Sequence, residues 1–493
     1  MTVYPRHASA AACQPQQRRE LAIQALAGGA SIAQLSERHD VSRQFIYRQS
    51  AKAREALDEA FASQADNVEV LFYLPVTKAF LRKIILGLVL ICHSSFRGVQ
   101  EFMRDLLDFD LSIGSAHNVV MEAVEKAREV NATERLMKIS VGAHDEIFQG
   151  RRPVLVGADA ASTYCYLLSL ENSRAGDTWA LRLMELSAKG LQPDYTVADG
   201  GTGLRSGQAL AWPDVPCRGD VFHALWEIGR LAAYLEHRAF GAMAALENME
   251  AKMTKAKRKG KGNKFSKRLA LAGQAELMAI NLADDINTLA EWLRNDVLSL
   301  AGADTDTRRQ LLDFVIESLR QREHLRPRRI QPVRIMLENQ RDLLLAFAEE
   351  IDAKLAVSVG ELGVQPVALR QLFNIRANER ILKTNTGRDQ PLKKQFGEKF
   401  DAADQAVLKI IAGVVRASSV IENINSRLRS YFFLRHQIGP AYLDLLRFFL
   451  NHRRFLRSEH PERVDKSPAE LLSGEDHPHW LELLGFEMFK RAA

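Results

Sequence analysis

The feature that most restricts the fold is a block of short strand-like segments between two long helical stretches. Four segments rich in β-branched or aromatic residues are interrupted only by turns and by one amphipathic helix. The segments cover residues 138–141, 153–157, 164–170 and 195–198, and the helix covers 177–189. The first three are close enough for an antiparallel meander, and the helix can cross over to a fourth strand beside them. This order predicts a mixed α/β sheet.

Asp199 lies where the fourth strand-like segment ends. The short apolar run 195–198 is followed directly by Asp199, Gly200 and Gly201, the pattern of a buried strand that delivers a carboxylate to a sheet edge. Asp-Gly is also ordinary turn chemistry. The functional interpretation therefore depends on other acidic residues that can be aligned with it, namely Asp145 upstream and Glu422 far downstream.

Composition indicates a soluble protein of several domains. The chain has 493 residues, with 46% hydrophobic and 26% charged residues. The longest apolar run, 84–92, is too short to span a bilayer, and the first residues lack the apolar core of a signal peptide. Scattered cysteines predict a reducing cytoplasm, because they form neither a metal-binding pair nor a disulfide framework. These are Cys13, Cys92, Cys165 and Cys217. The net charge of +6 permits a polyanionic partner.

Residues 18–62 are predicted to be helical and to bind DNA. A first helix ends at Gly28, and Ser31 and Ser42 are placed to cap two further short helices. The last of these helices presents the polar side chains Arg43, Gln44, Tyr47 and Arg48. A plain helical hairpin with a solvated outer face has a similar pattern. The coincidence of caps, turn and polar face favours a helix-turn-helix, whose second helix contacts base edges in the major groove.

Two other helical regions have open interpretations. Residues 65–134 fit either a second helix-turn-helix or a module for packing or dimerisation. The long helical stretch after residue 223 contains the segment 252–268, with nine basic residues and no acidic ones. Such a segment is either solvated and disordered or a loop that contacts phosphates.

Three motifs carry a resemblance to a known family. They are His-Asp-Glu-Ile-Phe at 144–148, Ala-Asp-Gly-Gly at 198–201 and Ser-Val-Ile-Glu-Asn-Ile-Asn-Ser-Arg-Leu-Arg at 419–429. With them the chain resembles a DDE transposase of a bacterial insertion sequence, over residues 135–223 and 400–472. The resemblance implies an α/β RNase H-like catalytic core interrupted by a large helical insertion, with all-α helix-turn-helix regions at the N-terminus.

The resemblance divides the chain into six regions. These are a helix-turn-helix DNA-binding domain (1–64), a second helical domain that fits another helix-turn-helix or dimerisation (65–134), the core in two parts (135–223 and 401–450), the insertion between them (224–400), and a basic C-terminal tail (451–493). A long helix over about 402–433 carries the last motif.

Asp145, Asp199 and Glu422 are implied as the catalytic metal ligands. Phosphodiester cleavage and transfer need divalent cations at the attacking and leaving oxygens, and Mg²⁺ is satisfied by a few carboxylates from different elements. The implied cofactor is a pair of Mg²⁺ or Mn²⁺ ions. Asp159 competes with Asp145 for the first position, although its place between two strand-like segments fits a turn residue better. Glu146 is expected to point to the opposite face of the strand.

Further site residues follow from the resemblance. Asp220 and His223 match an Asp-x-x-His pattern found before the insertion, which implies that His223 contacts a phosphate and Asp220 orients it. Asp220 also fits the N-cap of a helix starting at Val221, and the two roles are compatible. Arg429 lies two turns after Glu422 on the same helix face, where related enzymes contact DNA, although a surface arginine has the same spacing.

The expected function is binding of transposon ends, metal-dependent strand cleavage and strand transfer to target DNA. The expected partners are the terminal inverted repeats and the target, bound by a homodimer or larger assembly, with no membrane involved. The expected location is the cytoplasm of a bacterium, at the nucleoid. Two alternatives remain, a DNA-binding regulator that no longer cuts and a metal-dependent nuclease without strand transfer.

Overall fold

The computed structural model describes residues 13–61, 74–259, 263–382, 389–434, 439–458 and 460–488. The chain divides into two compact units, Met1–Val76 and Thr77–Ala493. The described part is mostly helical and contains a small mixed sheet of five strands. Within these residues, no helix is long and apolar enough to cross a membrane.

The described residues of the first unit form three helices with the predicted caps. They are α1 (Pro15–Ala27), α2 (Ile32–His39) and α3 (Arg43–Phe61). Ser31 forms a capping box with Gln34, and the Ser42 hydroxyl accepts a hydrogen bond from the Phe45 backbone N–H at 3.2 Å. Between α2 and α3, Asp40 adopts a left-handed conformation with φ of 47°. Leu21, Leu35, Val41 and Ile46 form a small core.

Three helices follow in the second unit, and the third of them packs on the late helix Pro440–His452, which contacts the sheet. They are α4 (Lys78–Leu90), α5 (Phe96–Leu107) and α6 (Ile113–Ala132). Their buried side chains, such as Ile85, Met103 and Val124, belong to the same apolar cluster as the strand residues Val154 and Val156. In its described part, the region predicted as a second helical domain (65–134) thus shares one apolar cluster with the strands; residues 62–73 lie outside the described residues.

The sheet is formed by five strands with two connecting helices. In chain order they are β1 (Val141–Gln149), β2 (Arg152–Asp159), β3 (Cys165–Leu170), α7 (Gly176–Ala188), β4 (Tyr195–Ala198), α8 (Thr202–Ala211) and β5 (Cys217–Gly219). The order across the sheet is β3-β2-β1-β4-β5. The first three strands are antiparallel, and β4 and β5 continue the sheet in parallel with β1. The predicted mixed sheet, with a meander and a helical crossover to β4, is confirmed.

Two strands differ from the prediction. The predicted first segment, 138–141, overlaps the observed strand Val141–Gln149 only at Val141, because the middle of this strand carries polar and small residues that weaken a strand signal. Strand β5 is only three residues long, too short to recognise from its sequence, and pairs with β4 through backbone bonds.

Among the described residues, eight α-helices form a bundle that covers the predicted insertion (224–400) and also includes Phe400–Gly413, a segment predicted to belong to the second part of the core. They are α9 (Val221–Arg258), α10 (Asn263–Trp292), α11 (Thr305–Arg322), α12 (Pro327–Asn339), α13 (Arg341–Leu362), α14 (Pro366–Leu382), α15 (Asp389–Phe396) and α16 (Phe400–Gly413). A π-helical turn, Leu293–Val297, follows α10, and the bundle has its own apolar cluster. The basic segment 252–268 forms the end of α9 and the start of α10, so its described part is helical and not a disordered loop.

The last part of the chain returns to the sheet. Its helices are α17 (Ser419–Leu434), α18 (Pro440–His452), α19 (Pro468–Ser473) and α20 (Trp480–Leu483). The predicted single helix over 402–433 is divided, because the Arg416 carbonyl accepts a hydrogen bond from the Val221 N–H at 3.0 Å and holds the chain in a non-helical link. The predicted C-terminal tail is packed, since Trp480 and Leu484 are buried in the cluster under the sheet.

Asn451 gives a test of this packing. It is fully buried beside the edge strand β3, accepts a hydrogen bond from the Cys165 N–H at 2.8 Å and donates one to the Cys165 carbonyl at 2.9 Å. Asn451→Ala leaves two buried backbone groups without partners, so we expect a loss of about 2–4 kcal/mol in the free energy of unfolding.

Urea unfolding of the full chain measures this loss. The matched control is Asn248→Ala on α9, where the exposed amide bonds only the Ala244 carbonyl of its own helix. We expect the control to change stability by less than about 0.5 kcal/mol. Equal urea midpoints for the two variants would contradict the assigned role of Asn451.

Candidate active site

Asp145 and Asp199 lie side by side at the centre of the sheet. Strands β1 and β4 are parallel, and the register pairs His144 with Ala198, so the next residue of each strand is an aspartate. At the end of β4 the chain turns sharply, and the Gly201 N–H donates to Oδ1 of Asp199 at 2.8 Å. The strand pairing therefore brings together two carboxylates that are far apart in sequence.

Arg205 fixes the turn that carries Asp199. Its Nε donates to the Asp199 carbonyl at 2.8 Å, and its two Nη atoms reach the carbonyls of Ala198 and Cys217, each at 3.2 Å. The side chain thus joins the ends of β4 and β5. The Gln340 side chain of the helical insertion accepts a further bond from Arg205 at 3.4 Å.

Helix α17 brings Glu422 to the same group. Asn425, one turn after Glu422, donates from Nδ2 to Oδ2 of Asp145 at 2.7 Å, which fixes the helix against β1. Because residues three apart share a helix face, Glu422 and Asn425 both lie on the side of α17 that borders Asp145. The Glu422 side chain is 37% exposed, so this carboxylate lies at the solvent boundary.

The electrostatics of Asp145 reflect this concentration of negative charge. Burial, and after it the charges of Asp199, Glu422 and Glu146, together raise the pKa of Asp145 from 3.8 to about 7. The Glu146 N–H, which donates to Oδ1 of Asp145 at 2.7 Å, opposes the shift. Asp145 is therefore a carboxylate whose ionised form lacks a compensating cation among the described residues.

Glu146 points to the opposite face of β1, as predicted from strand alternation. It accepts hydrogen bonds from the Trp179 Nε1 at 2.9 Å and from Arg174 at 3.1 Å. These partners fix Glu146 on the side of the sheet that carries α7.

Asp159 lies apart from the aspartate pair. The register places it opposite Gly142, three residues before Asp145 on β1. Its Oδ2 accepts hydrogen bonds from the Ser162 N–H at 2.7 Å and from the Ser162 hydroxyl at 2.5 Å, so it closes the turn between β2 and β3. This geometry favours Asp145 over Asp159 as the partner of Asp199.

Asp220 joins the start of α9 to the start of α17. Its Oδ1 accepts from the Phe222 N–H at 2.8 Å, as an N-cap does, and its Oδ2 accepts from the Ser418 hydroxyl. The Ser418 N–H also reaches Oδ1 at 3.3 Å. Because Ser418 directly precedes α17, the buried Asp220 carboxylate sets where the helix carrying Glu422 begins.

The other predicted residues are accessible. His223 is half-buried in the first turn of α9, with its ring 5.9 Å from that of Trp226; the carboxylate of Asp220 is used by Phe222 and Ser418 instead of orienting this ring. Arg429 is 62% exposed, and its Nη2 lies 3.8 Å from the Glu422 Oε2. In the first unit, Arg43, Gln44, Tyr47 and Arg48 are all exposed on α3.

Sequence reasoning misses the residues that position the carboxylates. Asn425 has no predicted role, although the Glu-x-x-Asn spacing places it on the same helix face as Glu422. Ser418 has none either, and its N-cap position before the apolar helix is the available signal. Arg205 and Gln340 carry no signal, because their partners are backbone carbonyls and residues of distant elements.

The side-chain oxygens at this edge of the sheet are of the chemical type that binds a hard divalent cation. Carboxylate oxygens are the ligands that Mg²⁺ prefers, and the buried Oδ1 of Asn425 is without a hydrogen-bond partner beside them. In the part of the chain that the structure describes, however, no three His, Cys, Asp or Glu side chains converge closely enough to hold a metal ion as they stand.

The comparisons with known proteins add little. The chain matches no protein-family model and no curated protein sequence. Among solved structures, a chain of the Drosophila P element transposase strand transfer complex is similar, with 13% identity, coverage of 74% of this chain and 98% of that chain, and a TM-score of 0.31. At that TM-score the likeness decides neither fold nor function.

The pKa of Asp145 predicts how stability depends on pH without divalent ions. Because the folded-state pKa is raised from 3.8 to about 7, the folded form holds a proton that the unfolded form releases. Stability from this group is complete below pH 4 and is lost as pH rises through 7, by roughly 2–4 kcal/mol. Asp145→Asn mimics the protonated form, so we expect it to be more stable than wild type at pH 8 and similar at pH 4.

Urea unfolding in EDTA at the two pH values measures this difference. Glu146→Gln, one residue away on the opposite face, is the control and should retain the pH trend of the wild type. If Asp145→Asn shows the wild-type trend as well, the burial and repulsion assigned to Asp145 are wrong.

Proposed function

We propose that this chain is a DDE-type DNA transposase with an RNase H-like catalytic core. One observation carries the proposal. Asp145 and Asp199 are adjacent across the parallel pair β1 and β4, and the helix that presents Glu422 is hydrogen-bonded to Asp145 through Asn425. The sequence resemblance implies two strand carboxylates and one helix carboxylate, and the structure has a mixed sheet of order β3-β2-β1-β4-β5 beside them.

Asp145, Asp199 and Glu422 would hold two Mg²⁺ or Mn²⁺ ions. When bound, such a pair activates the attacking oxygen and stabilises the leaving oxygen of a phosphodiester. Asn425 would keep Asp145 oriented, and a bound cation would favour its ionised form. His223 and the exposed Arg429 would contact phosphates next to the scissile one, and Asp220 would position the Glu422 helix through Ser418.

The first unit would recognise the ends of the transposon. The exposed face of α3 offers guanidinium, amide and phenol groups to the major groove, as the second helix of a helix-turn-helix does. The proposed partners are terminal inverted repeats and target DNA. Since two ends must be joined to one target, the active form would be a homodimer or larger assembly on DNA.

Cleavage of a labelled duplex carrying the DNA that flanks this coding sequence tests the enzyme. With Mg²⁺ or Mn²⁺, we expect the wild type to nick this duplex and to join the new 3′ end to a target plasmid. Asp145→Asn, Asp199→Asn and Glu422→Gln should each reduce nicking by at least about a hundredfold, because each removes a charged metal ligand.

Two controls locate the active residues. Asp159→Asn and Glu146→Gln remove carboxylates from the turn between β2 and β3 and from the opposite strand face, and we expect them to retain nicking. Nicking without joining would identify a nuclease, and end binding without nicking under either metal would identify a regulator. Activity that depends on Asp159 and not on Asp145 would refute the proposed ligand set.

Base recognition by α3 gives a separate prediction. Arg43→Ala and Gln44→Ala should each weaken binding to the end sequence by about 1–3 kcal/mol and leave binding to unrelated duplex DNA nearly unchanged. Arg54→Ala, an exposed change further along the same helix, is the control and should leave sequence preference intact. Competition binding with both duplexes measures the preference, and an equal loss on both would contradict base contacts.

A further inference from the structure

A positively charged cleft lies on the other flank of α17. Its volume is about 830 Å³, and no acidic residue is among the described residues that line it. We call it the arginine cleft. Its cationic lining consists of Arg427, Arg453, Arg454, Arg457, Arg463 and His460.

Most of this charge is uncompensated. Arg454 is paired with Glu470 at 2.5 Å, and the His460 ring lies 3.3 Å from Glu462. Among the residues that the structure describes, the other four arginines have no carboxylate within the 4.0 Å of an ion pair. Arg463 donates to the Ala161 carbonyl at 2.8 Å, a bond that leaves its charge in place. About four positive charges therefore face one cavity.

Arg427 lies at the inner side of the cleft. It is half-buried, and burial, together with the nearby charge of Arg453, lowers the pKa of its guanidinium. His93 shows the same environment, since burial lowers the pKa of its ring and so do Arg453 and Arg427. A cation that is partly removed from water and unpaired is costly, and an anion in the cleft would relieve that cost.

The cleft and the carboxylates share a single helix. Asn423 and Arg427 of α17 line the cleft, whereas Glu422 and Asn425 lie on the flank next to β1. The ridge between the flanks carries small polar residues, with Asn423 and Ser426 exposed. A helix with its side chains is about 10–12 Å across, and a DNA strand has to cross this distance to contact both flanks.

We propose that the arginine cleft binds the sugar-phosphate backbone of a single DNA strand, where that strand passes from the carboxylate site over α17. The nature of the polyanion rests on the proposed function. The volume is that of a small-ligand site, which accommodates a few nucleotides of one strand and not a duplex. Arginine forks suit phosphate oxygens, and the half-buried Phe455 and the 76% exposed Leu456 offer apolar surface to the bases.

The test measures binding and not cutting. Full-length protein carrying Glu422→Gln is titrated against a fluorescent 20-nucleotide oligothymidylate in EDTA, at about 50–200 mM KCl; the helices of the first unit cannot read a groove in this probe. Arg453→Gln with Arg457→Gln should weaken binding about 10- to 100-fold at the lowest salt. The slope of log K against log salt should fall by about 1.4, because the two substitutions leave two phosphates of a single strand without their cations.

The matched control removes two charges that are already neutralised. Arg309→Gln with Arg320→Gln changes two ion-paired arginines of α11, and we expect less than a twofold change. Arg457→Gln alone, at an exposed position, should give about half of the slope change and does not depend on refolding of the cleft.

Three results would overturn the proposal. One is an unchanged slope in the cleft variants, and another is an equal loss in the α11 control. The third is competition by a mononucleotide triphosphate at concentrations that match the oligonucleotide, which would identify a small-anion site. The proposed function can fail separately. If the wild type never nicks DNA but the cleft variants still show a smaller salt slope, the cleft binds a DNA strand and the transposase function is rejected.

Discussion

Burial of the Asp145 carboxylate beside two other carboxylates is the constraint on which this structure depends. The parallel pairing of β1 and β4 places Asp145 and Asp199 next to each other, and α17 adds Glu422. Elsewhere such a group would be replaced or neutralised, because buried like charges destabilise a fold. Here the Glu146 N–H and the Asn425 amide both donate hydrogen bonds to Asp145. These bonds fix the position of the Asp145 carboxylate, although burial favours its protonated form.

The rest of the second unit supports that edge from several directions. Arg205 joins the ends of β4 and β5, and the buried Asp220 joins the first turn of α9 to Ser418 at the start of α17. Most of the side chains that fix the positions of the three carboxylates are therefore different from the carboxylates themselves. They act on backbone positions, which explains why they are spread over elements far apart in sequence.

Some of this structure can be predicted from the sequence, and the rest is concealed for physical reasons. Helix ends in the first unit follow from local caps such as Ser31 and Ser42, and β2, β3 and β4 follow from runs of β-branched and aromatic residues. The position of β1 is mispredicted because its middle carries polar and small residues, and β5 exists only through pairing with β4. The carboxylates are found through a family resemblance, whereas the role of Asn425 depends on what α17 faces. The arginine cleft has no sequence signal, since Arg427 and the 453–463 loop meet only after α17 and α18 have packed.

The hydrogen bond between Val221 and the Arg416 carbonyl brings the two ends of the helical insertion together. The chain therefore leaves the sheet region and returns to it at nearly the same point, and the helical bundle is a long closed loop between these two positions. Closing a loop costs only about 0.6 kcal/mol more for each doubling of its length. The length of the bundle therefore has little effect on the free energy of bringing its two ends together, and the contact between the sheet and α17 does not depend on it.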